Sequence, residues 1–306
     1  MSSVATPIVV PDLVRDGTLQ CVVSMSGGKD STACALALRE AGVPFSMVFA
    51  DTGWEAPETY AHLDHLRETI GPIAVVGVEG GMVAKIRHRA GFPARMQRWC
   101  TRELKLIPLR AHHDALEAAG RETACVVGVR AEESVGRAKM LAWEDEPPGA
   151  RSWGGWIWRP ILSWTVEDVI AIHHRHGVRM NPLYLRGHGR VGCYPCIFAT
   201  KEEVRLVAEY APERIAEIRA LENDVTLQRA NRNTEEPGRY KHEIGTFFQG
   251  RMGDKRTKRN GFVPVDDVVA WSQTSRGGRQ LQLLPPAPDG GCFRWGLCEP
   301  PVKEGV

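Results

Sequence analysis

Two groups of residues carry types and spacings able to do chemistry. One is the run Ser26, Gly27, Gly28, Lys29, Asp30, Ser31, and the other is a set of cysteines outside any apolar periodicity. The run follows the apolar stretch LQCVVSM and leads into STACALALRE, so it reads as the turn from a strand into a helix. Such a turn holds phosphate: glycines admit close approach, the first helical amides point outward, and the helix dipole favours negative charge. Lys29 adds a mobile cation, and Ser26 and Ser31 add hydroxyl donors. The glycine spacing is not that of a Walker A loop, which ends in Gly-Lys-Ser/Thr. Asp30 and Asp51 are candidates to orient the loop, a nucleotide or Mg²⁺, with capping and turn roles as the plainer reading.

Of eight cysteines, Cys21, Cys34 and Cys125 lie in apolar runs and are expected in the core, where cysteine behaves as a small hydrophobe. Cys100, Cys193, Cys196, Cys292 and Cys298 stand instead beside Arg, Gly, Pro and aromatic residues. The C-x-x-C spacing of Cys193 and Cys196 lets two thiolates from one turn reach one metal or cluster iron, and it also suits a redox pair.

The elements that must position these residues alternate. Strands are expected at 19–25, 45–50, 73–78 and 124–129, with helices at 31–41, 57–70, 82–90, 101–119 and 166–176. That order predicts an α/β, doubly wound, mostly parallel sheet covered on both faces, with ligands at the carboxyl ends of its strands. The segment 143–158, rich in Pro, Gly and Trp, is expected to be a surface loop able to act as a lid. Helices are expected again at 201–210 and 212–221, followed by irregular, basic sequence. This places a domain boundary near residue 200, with a nucleotide-binding domain over 1–200 and a smaller helical C-terminal region with a cysteine-bearing tail over 201–306.

A net charge of +2 does not announce a nucleic-acid binder, but basic residues concentrate over 85–110 and 251–259. Clusters of this kind track phosphates or simply solvate helices, so a nucleic acid and a small anionic nucleotide both stay open as partners. No apolar stretch is long enough to span a membrane, and the N-terminus lacks a basic start followed by an apolar core. The expectation is a cytoplasmic protein with free thiols and no membrane partner. His62, His65, His112, His113, His173, His174 and His176 are expected on exposed faces or in packing, since none has metal-ligand spacing.

In this context SGGKDS resembles the PP-loop of ATP pyrophosphatases. The likeness to their phosphoadenosine phosphosulfate (PAPS) reductase-like branch continues through Asp51-Thr52-Gly53 with Pro57-Glu58-Thr59, and then through Cys100 to Leu109. It extends over Gly128, Arg130 and Ser134, the stretch 159–168, Asn181-Pro182-Leu183 and Gly192-Cys193-Tyr194-Pro195-Cys196, covering residues 19–200. The resemblance implies an adenine nucleotide alpha-hydrolase-like fold that binds ATP with Mg²⁺ through Ser26 to Ser31, Asp51, Thr52 and Gly128. Lys29, Asp30, Ser31 and Arg130 are its implied catalytic residues. It also implies Cys100 as a third metal ligand. A fourth from Cys292 or Cys298 would complete a [4Fe–4S] cluster or a Cys₄ zinc site, with the tail clamped across it.

The loop is complete here, whereas the sulfonucleotide reductases of the branch carry degraded forms. The tail cysteines sit in Gly291-Cys292-Phe293 and Leu297-Cys298-Glu299, unlike the reductases' Glu-Cys-Gly-Leu-His type motif. The expected function is therefore cleavage of ATP to AMP and pyrophosphate, with adenylation of a substrate for sulfur transfer. The candidate acceptors are tRNA, DNA or a small molecule, and the candidate sulfur donor is a cysteine desulfurase-type protein. The alternatives are a thiol-dependent PAPS or adenylylsulfate reductase using Cys292 or Cys298, and a non-catalytic nucleotide or nucleic-acid-binding module.

Overall fold

The computed structural model describes residues 7–94, 96–147, 154–248 and 262–274. Strand β1 (Gln20–Met25) runs into helix α1 (Lys29–Glu40), β2 (Phe45–Asp51) into α2 (Pro57–Thr69), and β3 (Ile73–Gly77) into α3 (Gly81–Arg89). A short helix, Trp99–Thr101, and a π-helical turn, Arg102–Leu106, lead directly into α4 (Ile107–Ala118) and then β4 (Thr123–Val127). The helix expected over 101–119 is thus present but locally widened at Lys105, a distortion often found at functional sites.

The sheet has the order β3-β2-β1-β4, with β4 then flanked by β6 (Gly155–Trp158) and, outermost, β5 (Trp143–Glu146). All neighbours are parallel except β5 and β6. These last two strands correct the lid expected over 143–158. Trp156, Ile157 and Trp158 are residues that favour a pleated, half-buried surface, and Trp143 stacks on Trp156 at 5.0 Å. The glycines and prolines between the strands masked so short a hairpin, and residues 148–153 lie outside the described ones.

Alternation along β1 places Cys21, Val23 and Met25 in one apolar cluster and Val22 in another on the opposite face. Both faces of this central strand are therefore buried, which is why it reads as a continuous apolar run. Cys34 packs in the first cluster, and Cys21, Cys34 and Cys125 are all core residues as expected. Strand order reverses between β1 and β4, and the crevice at their carboxyl ends is where such sheets bind ligands.

Helix α5 (Val166–Arg175) packs on α1. Beyond it, α6 (Lys201–Tyr210) spans the expected residues, whereas α7 (Pro212–Glu235) runs well past the expected end at 221. Its Ile218, Leu221 and Val225 share one buried cluster with Met82 and Ile86 of α3 and with Phe247 and Val265. Buried Glu222 accepts the backbone amides of Phe247 (2.8 Å) and Val265 (3.0 Å), fixing α8 (Val265–Ser272) on α7. Among the described residues no helix is long and apolar enough to cross a membrane.

Candidate active site

The run Ser26 to Ser31 joins β1 to α1 at the β1/β4 reversal, where the sequence placed a phosphate loop. Gly28 precedes helix α1 and supplies no side-chain cap, which leaves a helix N-terminus suited to an anion. Ser31 Oγ receives the amide of Ser26 (3.1 Å), lies 3.1 Å from the Ser26 hydroxyl and donates to the Gly28 carbonyl (3.0 Å), closing the loop on itself. Gly27 has φ 70°, and a Cβ there would stand 2.8 Å from Thr59 Cγ2. Gly128, just after β4, runs so close to the loop that a Cβ would lie 2.6 Å from both the Asp30 carbonyl carbon and the Ser31 nitrogen. Both glycines are required by contact with a neighbouring chain segment.

Three residues absent from the expected site hold this loop from a distance. Tyr184 accepts the Lys29 amide at 3.1 Å, Asn181 donates to the Gly27 carbonyl at 3.1 Å, and His173 Nε2 lies 3.0 Å from the Lys29 carbonyl. His173 is buried, not on an exposed face, and it bridges the loop to the Val178 carbonyl (3.1 Å). Burial lowers its pKa, against the two carbonyls, which favour a proton on each ring nitrogen. Asn181-Pro182-Leu183 gave a signal in the sequence, but His173 and Tyr184 carried none beyond ordinary helix and turn composition.

Buried Lys29 places its ammonium 3.0 Å from Asp30 Oδ2 and 5.1 Å from the centre of the Tyr184 ring. The other oxygen of Asp30 takes Arg130 Nε at 2.6 Å, and Arg130 also pairs with Glu132. Asp30 therefore couples the loop to the Gly128–Arg130 turn, and its one negative charge faces two cations. Arg130 stands behind Asp30 and is not on the cavity wall, where Arg137 lies instead. Asp51 is turned to the Gly53 amide and the Tyr60 hydroxyl, both at 2.8 Å, which is the turn role. Thr52 does reach the wall, and its hydroxyl is held by buried Glu55 at 2.7 Å, another residue the sequence did not single out.

One cavity of about 380 Å³ is lined by Ser26, Gly28, Lys29, Asp30, Ser31 and, on its far side, by Cys100, Cys193 and Cys196. The cysteine segment reaches it because the Tyr194 amide donates to the Trp54 carbonyl (2.7 Å) and Trp54 Nε1 donates to the Pro195 carbonyl (3.0 Å). Burial raises the pKa of Cys193 against the pull of the neighbouring Lys105 ammonium, and burial likewise raises that of Cys100.

Thiols are the donor type of iron–sulfur and zinc sites. As arranged, however, no three Cys, His, Asp or Glu side chains among the described residues are grouped so as to hold a metal ion. Cys292 and Cys298, expected to clamp over the site, lie outside the described residues, as do the basic residues of 251–259.

The chain resembles several known proteins. An uncharacterized 37.8 kDa protein of Escherichia phage 186 is 33% identical over 320 residues, covering 86% of this chain and 91% of its own length. The adenosine 5'-phosphosulfate reductase of Burkholderia cepacia is 32% identical over 171 residues, which span 54% of this chain and 64% of that enzyme. Among solved structures, the PAPS reductase of Candida auris in its phosphate complex overlaps 57% of this chain and 81% of its own, with a TM-score of 0.45 and 17% identity. The model of the phosphoadenosine phosphosulfate reductase domain matches residues 20–199, the whole of the sheet and most of the cavity wall, and the chain belongs to that family.

Proposed function

We propose that this protein binds ATP with its phosphates on Ser26 to Ser31, cleaves it between the α- and β-phosphates, and uses the adenylated product for sulfur transfer. One observation carries this reading: a complete phosphate loop and three cysteines line the same cavity. An acceptor oxygen attacks the α-phosphorus, pyrophosphate leaves, and a sulfur nucleophile then displaces AMP from the activated acceptor. Lys29 and the loop amides stabilise the charge that builds on the departing phosphates, the kind of preorganised electrostatic term that dominates such reactions. Mg²⁺, when bound with ATP, would neutralise part of that charge. On the cavity wall Lys29, Arg98, Lys105, Arg137 and Arg190 outnumber Asp30, Glu133 and Glu203, which leaves it net positive before nucleotide arrives.

A second reading is favoured by the named relatives. Adenosine 5'-phosphosulfate reductases match the body of the chain. A reductase of this kind would bind a sulfonucleotide in the same cavity and release sulfite without using ATP. A product assay separates the two, since AMP and pyrophosphate from ATP support the first and sulfite from a sulfonucleotide supports the second. Nucleotide binding with neither product would make the protein a binding module. The cluster proposed on Cys100, Cys193, Cys196 and one of Cys292 or Cys298 is tested separately by iron and acid-labile sulfide in anaerobically purified protein. Active protein containing neither removes it from the mechanism.

A further inference from the structure

A second cavity, of about 840 Å³, adjoins the first, and Ile197 and Phe198 belong to both walls. Its size falls within the roughly 300–1,000 Å³ of ordinary ligand sites. Its wall carries Arg89, Arg229, Arg239 and Lys241 and, among the described residues, no Asp or Glu. Arg89 and Arg239 are paired by Glu103 and Glu236, which are not on the wall. Arg229 differs. Its half-buried guanidinium donates to the carbonyls of Ala90 (2.6 Å), Ile244 (3.1 Å) and His242 (3.4 Å), and among the described residues it has no carboxylate. Burial accordingly lowers its pKa, since a desolvated cation without an anion is disfavoured.

The same wall is aromatic. Arg89 stands 5.4 Å from the centre of the Trp99 ring and Arg229 5.4 Å from that of Tyr240, while Arg98, on the wall of the first cavity, stands 5.3 Å from that of Phe198. Met96, also on the wall, is 90% exposed. Cations alone would suit any polyanion, and rings alone any apolar ligand. Interleaved on one wall, they suit a chain that alternates phosphates with flat π-faces. In a duplex those faces are stacked on one another and unreachable from the side.

We propose that this cavity binds a single-stranded segment of nucleic acid and delivers one nucleotide across Phe198 to the cysteine-lined cavity. The acceptor of the sulfur-transfer reading is then a nucleic acid. The delivery step rests on that reading, whereas binding of the strand does not. Cys196 lies two residues before Phe198 and Cys100 directly follows Trp99, so the ring-bearing wall and the thiols occupy the same two short segments.

The test uses the full chain and fluorescence anisotropy with labelled single-stranded DNA and RNA of about 16 nucleotides, the upper site size of comparable grooves. The double variant Arg239→Ala, Lys241→Ala removes two exposed cations of this wall, outside the phosphate loop and the cysteine set. It should weaken binding and reduce the slope of log K against log salt by about 1.4, or about 0.7 per lost contact. Phe198→Ala should weaken binding about ten-fold at every salt concentration without changing the slope. A duplex of the same sequence should bind more weakly than either strand. Absence of binding, insensitivity to the double variant, or tighter binding of the duplex overturns the inference. Strand binding without pyrophosphate release leaves the groove assignment standing and defeats the adenylation reading, while pyrophosphate release without strand binding does the reverse.

Discussion

The two ends of the central cavity are prepared in opposite ways. At the phosphate end every turn of the loop is fixed by a residue far away in sequence: Tyr184 on the Lys29 amide, His173 by the Lys29 carbonyl and Asn181 on the Gly27 carbonyl. Charge is in place there too, with Lys29 and Arg130 on either oxygen of Asp30. At the thiol end, Cys100 and Cys193 are held by burial on the protonated side, and Lys105 only partly offsets this. The phosphate end is thus a preset, charged receptor, whereas the buried thiols of the other end are held protonated. Ionising them needs a further partner in the cavity, because the thiolate is the reactive form.

That comparison is most severely tested by Lys29→Ala, which should cut pyrophosphate release by about 10²–10³-fold, the loss typical of removing one preorganised charge-stabilising group. An unchanged rate would show that the loop amides alone suffice. Cys193→Ser should abolish the sulfur-containing product while leaving pyrophosphate release intact. Loss of both would mean that the two ends work as one unit and that the contrast is false. Gly128→Ala should destabilise the fold by about 1–3 kcal/mol through overpacking against the Asp30 and Ser31 backbone, and it should weaken nucleotide binding with it. Urea unfolding and nucleotide titration on the same variant check this, and wild-type stability would show that the loop yields easily.

The smallest expected effect is on acid stability. Burial, the largest cause in each case, holds the His62 and His113 rings down at about 4 and also lowers His173. A histidine kept neutral by the fold adds stability above its ordinary value of 6.5. It loses that stability as pH falls toward the depressed value, because the unfolded chain takes up the proton first. The urea midpoint should therefore fall steadily between about pH 7 and about pH 4.5, and less steeply in His62→Gln. A flat profile would show that these rings take up protons in the folded protein as readily as in the unfolded chain.

The sequence by itself determined the phosphate loop and its neighbours. Ser26 to Ser31 are consecutive, their chemistry depends on local backbone turns, and the flanking apolar runs are long enough to show their period. It likewise determined the alternating body of the sheet and the core role of Cys21, Cys34 and Cys125, since burial of contiguous apolar stretches is a local property.

Only the tertiary structure decided the rest. The hairpin of β5 and β6 is too short to outweigh its Pro and Gly residues in sequence, and it exists because β4 offers an edge to pair with. Arg130, expected to be catalytic, and Asp51, expected at the nucleotide, have side chains whose partners, Asp30 and the Gly53 amide, only the folded chain reveals. His173 and Tyr184 look ordinary along the chain and become site residues because packing of α5 and the 181–196 segment carries them to the loop, whereas Glu55 reaches Thr52 through the turn between them. Which polar atoms meet across more than a hundred residues is set by the order of strands and the docking of helices. No local periodicity encodes it.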